Sequence, residues 1–169
     1  MLARLPDRTP VLIRPIRPDD KPLLTEGLRN LSDASIQRRF LSPKTRFTRA
    51  ELKYLTEVDG VDHVALVAEY PLEPVRRLLA VGRFVRLTED PLSAEVAVVV
   101  CDDWQQRGLG SILATQLAEQ ARTTGIARFT ATIASDNVPA HKLMRRLTES
   151  LQVVRGGAGV SAATLDLVA

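Results

Sequence analysis

The chain has 169 residues, 45% of them hydrophobic and 25% charged, which is the composition of an ordinary globular domain. At this length roughly 70% of the unfolded chain's surface can be buried without a disulfide or a structural metal. The single cysteine, Cys101, excludes an internal disulfide, and with only His63 and His141 beside it no metal centre is expected. That cysteine usage suits a reducing, cytoplasmic setting. Lys and Arg number 23 against 20 Asp and Glu, a formal charge of +3 that mildly favours anionic partners. Aromatic residues are only 4% of the chain and no basic block occurs, so nucleic acid is not an expected partner. No run of about 18 apolar residues is present and Met1 to Pro10 lacks the apolar stretch of a secretory signal, so neither a membrane partner nor export is expected. Without repeats or linkers, a single domain over 1–169 is the expectation.

In chain order, Thr9 to Ile16 predicts a strand ended by Arg14-Pro15 and Arg17-Pro18. Asp19 and Asp20 are placed to cap a helix in which Leu23, Leu24, Leu28 and Leu31 recur at helical spacing. Ser32 or Asp33 opens a short helix reaching Phe40. Thr48 to Glu51 has the form of a capping box, and Leu52 and Leu55 give the following helix its buried face. The period then changes. His63 to Glu69 and Leu78 to Leu87 predict strands, expected to be antiparallel neighbours. Ala94 to Val100 is apolar on both faces apart from Glu95, the pattern of a mid-sheet strand. Gly108 to Thr124 predicts a helix with Leu113, Leu117 and Ala121 inward and Gly125 as its stop. A strand over Ala127 to Ala134 follows, then a helix over Pro139 to Ser150 with Leu143 and Leu147 inward. Gln152 to Val168 completes the chain as a pair of strands around Gly156 and Gly157. The sum is an α/β (α+β) fold whose mixed, mostly antiparallel sheet is flanked by helices.

The segment Gln105-Gln106-Arg107-Gly108-Leu109-Gly110-Ser111 joins the Val-rich strand to a helix. Amides at a helix start have no intrahelical partner and lie at the positive end of the dipole, so such a junction can hold a phosphate. A bare G-x-G is equally a tight turn. Two nucleotide motifs are excluded: no G-x-x-x-x-G-K-[ST] is present, and Leu113 stands where the dinucleotide fingerprint needs a small residue.

Gln105 to Gly110 resembles the Q/R-x-x-G-x-G/A pyrophosphate loop of the GNAT superfamily of acyl-CoA N-acyltransferases. One strand later, Asn137-Val138-Pro139-Ala140-His141-Lys142-Leu143 is similar to that family's N-x-x-A-x-x-L segment. Ala94-Glu95-Val96-Ala97, Arg14 to Asp20 and Gln37-Arg38-Arg39-Phe40 resemble the catalytic domain of bacterial protein lysine acetyltransferases. The resemblance implies a sheet with splayed central strands, acetyl-CoA as cosubstrate, and an amine acceptor that is a protein lysine or a small amine. It further implies that the backbone of Val98, Val99 and Val100 pairs with the pantetheine arm in a splay against the strand from Ala127. The amides of Gln106, Arg107, Gly108, Leu109, Gly110 and Ser111 would hold the pyrophosphate, with Gln105 opening the loop. Arg107 would touch a phosphate or remain a solvated charge. Asn137 would contact the arm, cap the next helix, or do both. Domains of this kind are often dimers, so a homodimer is among the expected states.

Acetyl transfer needs a neutral amine, and a lysine of ordinary pKa about 10.4 is protonated at neutral pH, so a general base helps. Glu95 is the candidate, a lone carboxylate whose burial in an apolar strand would raise its pKa. The tyrosine that often follows the N-x-x-A-x-x-L leucine is replaced by Met144, which cannot donate a proton. The alternative reading is therefore a non-catalytic acyl-CoA sensor or partner module. Cys101 reads as a buried apolar group rather than an acyl carrier, and Trp104 as an anchor beneath the loop.

Overall fold

The computed structural model describes residues 1–167, so the Val168 end of the expected terminal strand pair lies outside the described residues. Fifteen elements follow one another. Strands β1 (Leu2–Arg4) and β2 (Pro10–Pro15) lead through a 3-10 turn, Pro18–Asp20, into helices α1 (Lys21–Arg29), α2 (Asp33–Phe40) and α3 (Arg49–Thr56). Strands β3 (His63–Glu69), β4 (Ala80–Arg86) and β5 (Ser93–Val100) come next, then a 3-10 turn, Asp102–Trp104, and α4 (Leu109–Thr123). The chain ends on β6 (Arg128–Ala134), α5 (Val138–Leu147), β7 (Leu151–Arg155) and β8 (Val160–Asp166).

Local chemistry accounts for most of these boundaries. The Ser32 hydroxyl accepts from the Ser35 amide and opens α2, and Thr48 and Glu51 exchange the reciprocal bonds of a capping box at α3. Gly125, at φ +81°, follows α4 as expected. Helix α5 stops at Leu147, three residues before the predicted Ser150, because Thr148 is already extended. On that helix Met144 is the buried residue, whereas Leu143 is only half-buried. The expected cap at Asp20 is replaced by a different use: its side chain makes no capping bond to α1 and instead accepts from Arg14 and from the Arg17 amide. Strand β1, too short to show a periodic pattern, is an addition to the predicted set.

The eight strands form one sheet in the order β1-β2-β3-β4-β5-β6-β8-β7. Every neighbouring pair is antiparallel except β5 with β6. Strand alternation divides the side chains between two cores. Val64, Leu66, Phe84, Val96, Phe129 and Leu165 point to the face covered by α4 and α5. Ala65 and Val67 point to the opposite face, beneath Leu24 of α1 and Leu52 and Leu55 of α3. Helix α4 lies close against β4 because position 82 is glycine: a Cβ there would stand 2.8 Å from Leu117 Cδ1 and 3.0 Å from Leu113 Cδ2.

The sheet opens at its centre. Strands β5 and β6 pair only from Ser93–Arg128 to Glu95–Thr130, and beyond Glu95 they separate. This is the splay expected from the resemblance. It leaves the C-terminal half of β5 with a neighbour on the β4 side alone, next to the start of α4.

Candidate active site

The strand register decides which backbone groups of β5 face the splay. The bonds from the Cys101 amide to the Leu79 carbonyl (2.8 Å) and from the Leu87 amide to the Ser93 carbonyl (2.9 Å) fix the alternation. Odd-numbered residues of β5 therefore bond to β4, and even-numbered ones present their amide and carbonyl to the β6 side. Val98 and Val100 thus face the opening. Val99 does not: its backbone is turned to β4, and its side chain lines a cavity on the opposite side of the sheet from α4. The Val100 carbonyl accepts from Gln105 Nε2 at 3.0 Å, and the same amide nitrogen donates to Ser35 Oγ at 3.0 Å. Gln105 accordingly ties the loop to β5 and α2.

The loop that follows is held in a shape that leaves its amides free. Gln106 lies at φ +60° and Gly108 at φ +88°. The first helical bond of α4 runs from Ile112 N to the Gly108 carbonyl at 3.1 Å. The amides of Gln106, Arg107, Gly108, Leu109, Gly110 and Ser111 have no hydrogen-bond partner among the described residues. A cluster of unpartnered amides at the positive end of a 15-residue helix is suited to an anion. Position 108 needs glycine twice over, for its positive φ and because a Cβ would stand 3.0 Å from Pro6 Cδ. Gly108→Ala is expected to lower stability by about 1–2 kcal/mol, measured by chemical denaturation, with a matching loss of affinity for any anion bound at the loop. At Gly110 a Cβ would be in ordinary contact, 3.5 Å from Val100 Cγ2, so the chain itself makes no steric demand there.

Arg107 is engaged within the chain. Its guanidinium donates to Asp7 Oδ2 at 2.8 Å and Thr9 Oγ1 at 2.9 Å and lies over the Trp104 ring, 4.3 Å from its centre. Trp104 is buried as expected, against Tyr70 at 5.6 Å. Asn137 caps α5, its Oδ1 accepting from the Ala140 amide at 3.2 Å. Cys101 sits at the end of β5 with its thiol pushed up to about 11, first by burial and then by the Asp103 carboxylate. A thiol so held is protonated at neutral pH and suits no acyl-carrier role.

Glu95 corrects the sequence reading. Its side chain is exposed, not desolvated within the strand, on the sheet face opposite α4. The pairing of Glu95 with Val85, and of Ala97 with Arg83, puts it on the same face as Arg83 and His63. Arg83, buried on that face, donates to His63 Nε2 at 3.0 Å and to the Leu55 carbonyl at 3.3 Å. Since a guanidinium only donates, His63 Nε2 carries the lone pair and the ring is neutral. Its pKa is lowered by burial and then by the Arg83 charge. Arg39, from α2, lines the same region. Periodicity could not single out Arg39 and Arg83, since a charge within an amphipathic helix or a strand ordinarily marks a solvated face.

Among the described residues no group of His, Cys, Asp and Glu could hold a metal, and no helix is long and apolar enough to cross a membrane.

A sheet parted at its centre, a free strand edge and a helix start with unpartnered amides define a fold with room for an extended anionic ligand across the sheet. The model of the acetyltransferase (GNAT) family matches residues 34–148, and the chain belongs to that family. It is 41% identical over 136 residues to the acetyltransferase Pat of Mycolicibacterium smegmatis, covering 80% of this chain. The chain spans 40% of that protein's length. It is 30% identical over 150 residues to the acetyltransferase PA5475 of Pseudomonas aeruginosa, covering 89% of this chain and 78% of the relative. Among solved structures, the GNAT domain of S. lividans PAT superposes with a TM-score of 0.86 at 29% identity, covering 98% of this chain and 96% of that one.

Proposed function

We propose that the chain is an acetyl-CoA-dependent N-acetyltransferase acting on a primary amine, with a protein lysine as the first candidate acceptor and Glu95 as general base. The observation that carries the proposal is the row of unpartnered amides from Gln106 to Ser111 beside the free edge of β5. Family membership and the likeness to the Pat acetyltransferase support it.

Acetyl-CoA, when bound, supplies an activated thioester carbonyl. The amides of the 106–111 loop are suited to the pyrophosphate, and the Val98 amide and carbonyl and the Val100 amide to the amide bonds of an extended arm. The Val98 amide is the donor available to polarise a carbonyl at the edge, an oxyanion role. Glu95, exposed on the face of the same strand away from α4, would take the amine proton directly or through water, freeing the nitrogen lone pair. The new C–N bond then forms as the C–S bond breaks. Met144 is buried and supplies no proton to the leaving sulfur. None is required, because a thiol of ordinary pKa about 8.5 leaves readily as the thiolate.

The test is a thermal-shift titration with acetyl-CoA, CoA and ATP. A ligand at 100 times its Kd stabilises the fold by about 2.7 kcal/mol. A shift with both CoA species and none with ATP is expected. No shift with acetyl-CoA would reduce the loop to a turn.

A further inference from the structure

Two arginines stand on the acceptor side of the sheet without a carboxylate. Arg83 is 6% exposed, and both its hydrogen-bond partners, the His63 ring and the Leu55 carbonyl, are uncharged. Arg39 has neither a hydrogen-bond acceptor nor an ion pair within 4.0 Å among the described residues; its one close partner is the ring of the adjacent Phe40. Elsewhere the molecule spends its acidic groups on arginines readily: Arg14, Arg76, Arg77, Arg86, Arg107 and Arg128 all have carboxylates within 3.5 Å. Burying one cation is costly unless it is paired, and two neighbouring cations add mutual repulsion. That cost is visible in both groups. Arg83 is pulled down to about 10, by burial and then by the Arg39 charge, and burial likewise lowers Arg39, with Glu95 opposing from beyond ion-pair distance.

Both arginines line a cavity of about 60 Å³ between α1, α2, α3 and the sheet. Its other walls are aliphatic and aromatic, among them Leu24, Leu28, Phe47 and Val99. One water needs about 10–15 Å³ of such space, so the chamber has room for a carboxylate and a short hydrocarbon. Through Val99 it adjoins β5, the strand whose free edge forms the proposed donor site.

We infer that the acceptor is an aliphatic amine that also carries a carboxylate, seated on Arg39 and Arg83 with its hydrocarbon in the chamber below α1. The inference rests on the acetyltransferase reading and, within it, puts a small carboxylate-bearing amine in place of a protein lysine as acceptor. A bare ammonium moving toward Glu95 would approach two uncompensated cations, whereas an acceptor that brings its own carboxylate neutralises them. A free amino acid with an apolar side chain has that chemistry.

The test measures binding with the donor site saturated by CoA, so that the 106–111 amides are not available to a second anion. Calorimetric titrations compare leucine with isopentylamine, its decarboxylated counterpart, and hexanoate with hexanamide. Each carboxylate is expected to bind at least about tenfold tighter than its uncharged or cationic counterpart, the difference a charge-assisted hydrogen bond makes. Arg39→Met, at a half-buried helix position that makes no hydrogen bond, should lose that preference, and Arg83→Lys should weaken it. Equal binding within the pairs, or a preference undiminished in Arg39→Met, overturns the inference. Absence of any CoA binding would count against the donor site instead, and the carboxylate comparison is then read without CoA, where the Arg39→Met control still identifies the chamber.

Discussion

Replacing Glu95 by glutamine is expected to lower kcat about 100-fold or more, the range for loss of a general base, while the Kd for acetyl-CoA changes little. The substitution keeps the side chain's size and removes only its capacity to take a proton. Because Glu95 is exposed on the face away from α4, it contributes nothing to the core and the variant should fold as the parent does. The measurement is steady-state thiol release with calorimetric titration of acetyl-CoA alongside. A fall in kcat with unchanged donor affinity supports the base. Turnover that survives in Glu95→Gln would assign proton removal to another group or to water, and a parent protein that binds acetyl-CoA yet turns over no amine would favour the sensor reading.

The largest effect on stability is expected at Arg14. Its guanidinium, 8% exposed, donates to both carboxylate oxygens of Asp20, at 2.7 and 2.8 Å, and to those of Glu69, at 2.8 and 3.2 Å. Asp20 is fully buried. Arg14→Met would leave two buried carboxylates with only the half-exposed Arg76 beside them, and removing one partner of a buried pair costs about 3–5 kcal/mol. Arg76→Ala, at an exposed arm of the same cluster, should cost under about 1 kcal/mol. The pH dependence separates this account from a packing loss. Burial pushes Asp20 upward, yet the bonds from Arg14 and the Arg17 amide outweigh it and leave its pKa below the ordinary value. Glu69 is held low chiefly by Arg14. Carboxylates with a lowered folded pKa stabilise the fold fully above their unfolded values, about 3.9 and 4.3, and lose that contribution as the pH falls through the folded ones. In Arg14→Met the same groups prefer to be protonated. The gap between parent and variant in denaturant unfolding should therefore be widest at neutral pH and narrow below about pH 4.

Much of this arrangement was legible in the residues. The capping box at Thr48, the apolar run of His63 to Glu69 and the glycine after α4 are local signals, and the structure places each where it was read. The loop at 105–111 was visible because its chemistry is carried by backbone geometry that glycine marks. What sequence could not supply were the long-range pairings. Arg14, Asp20 and Glu69 meet only when β2 lies against β3, and nothing local distinguishes Asp20 as an ion-pair partner from Asp20 as a cap. Glu95 misled for a related reason: an apolar strand predicts burial on both faces, but the cover over each position is set by distant elements and leaves this one exposed. Arg83 escaped notice, and Arg39 entered only within the resembling segment Gln37 to Phe40, because an arginine reads as surface until its missing counter-ion can be seen.

The parting of β5 from β6 also bears on how the molecule coheres. Five strands lie on one side of that seam and three on the other, and among the described residues the strands themselves pair across it only from Ser93 to Glu95. The two panels are otherwise joined through α4, whose side chains reach under both. An extended ligand lying in the gap would take the place of the missing ladder and act as a ninth strand. In such a molecule the donor is a structural member as well as a reactant, and its arrival stiffens the platform on which the acceptor must be aligned.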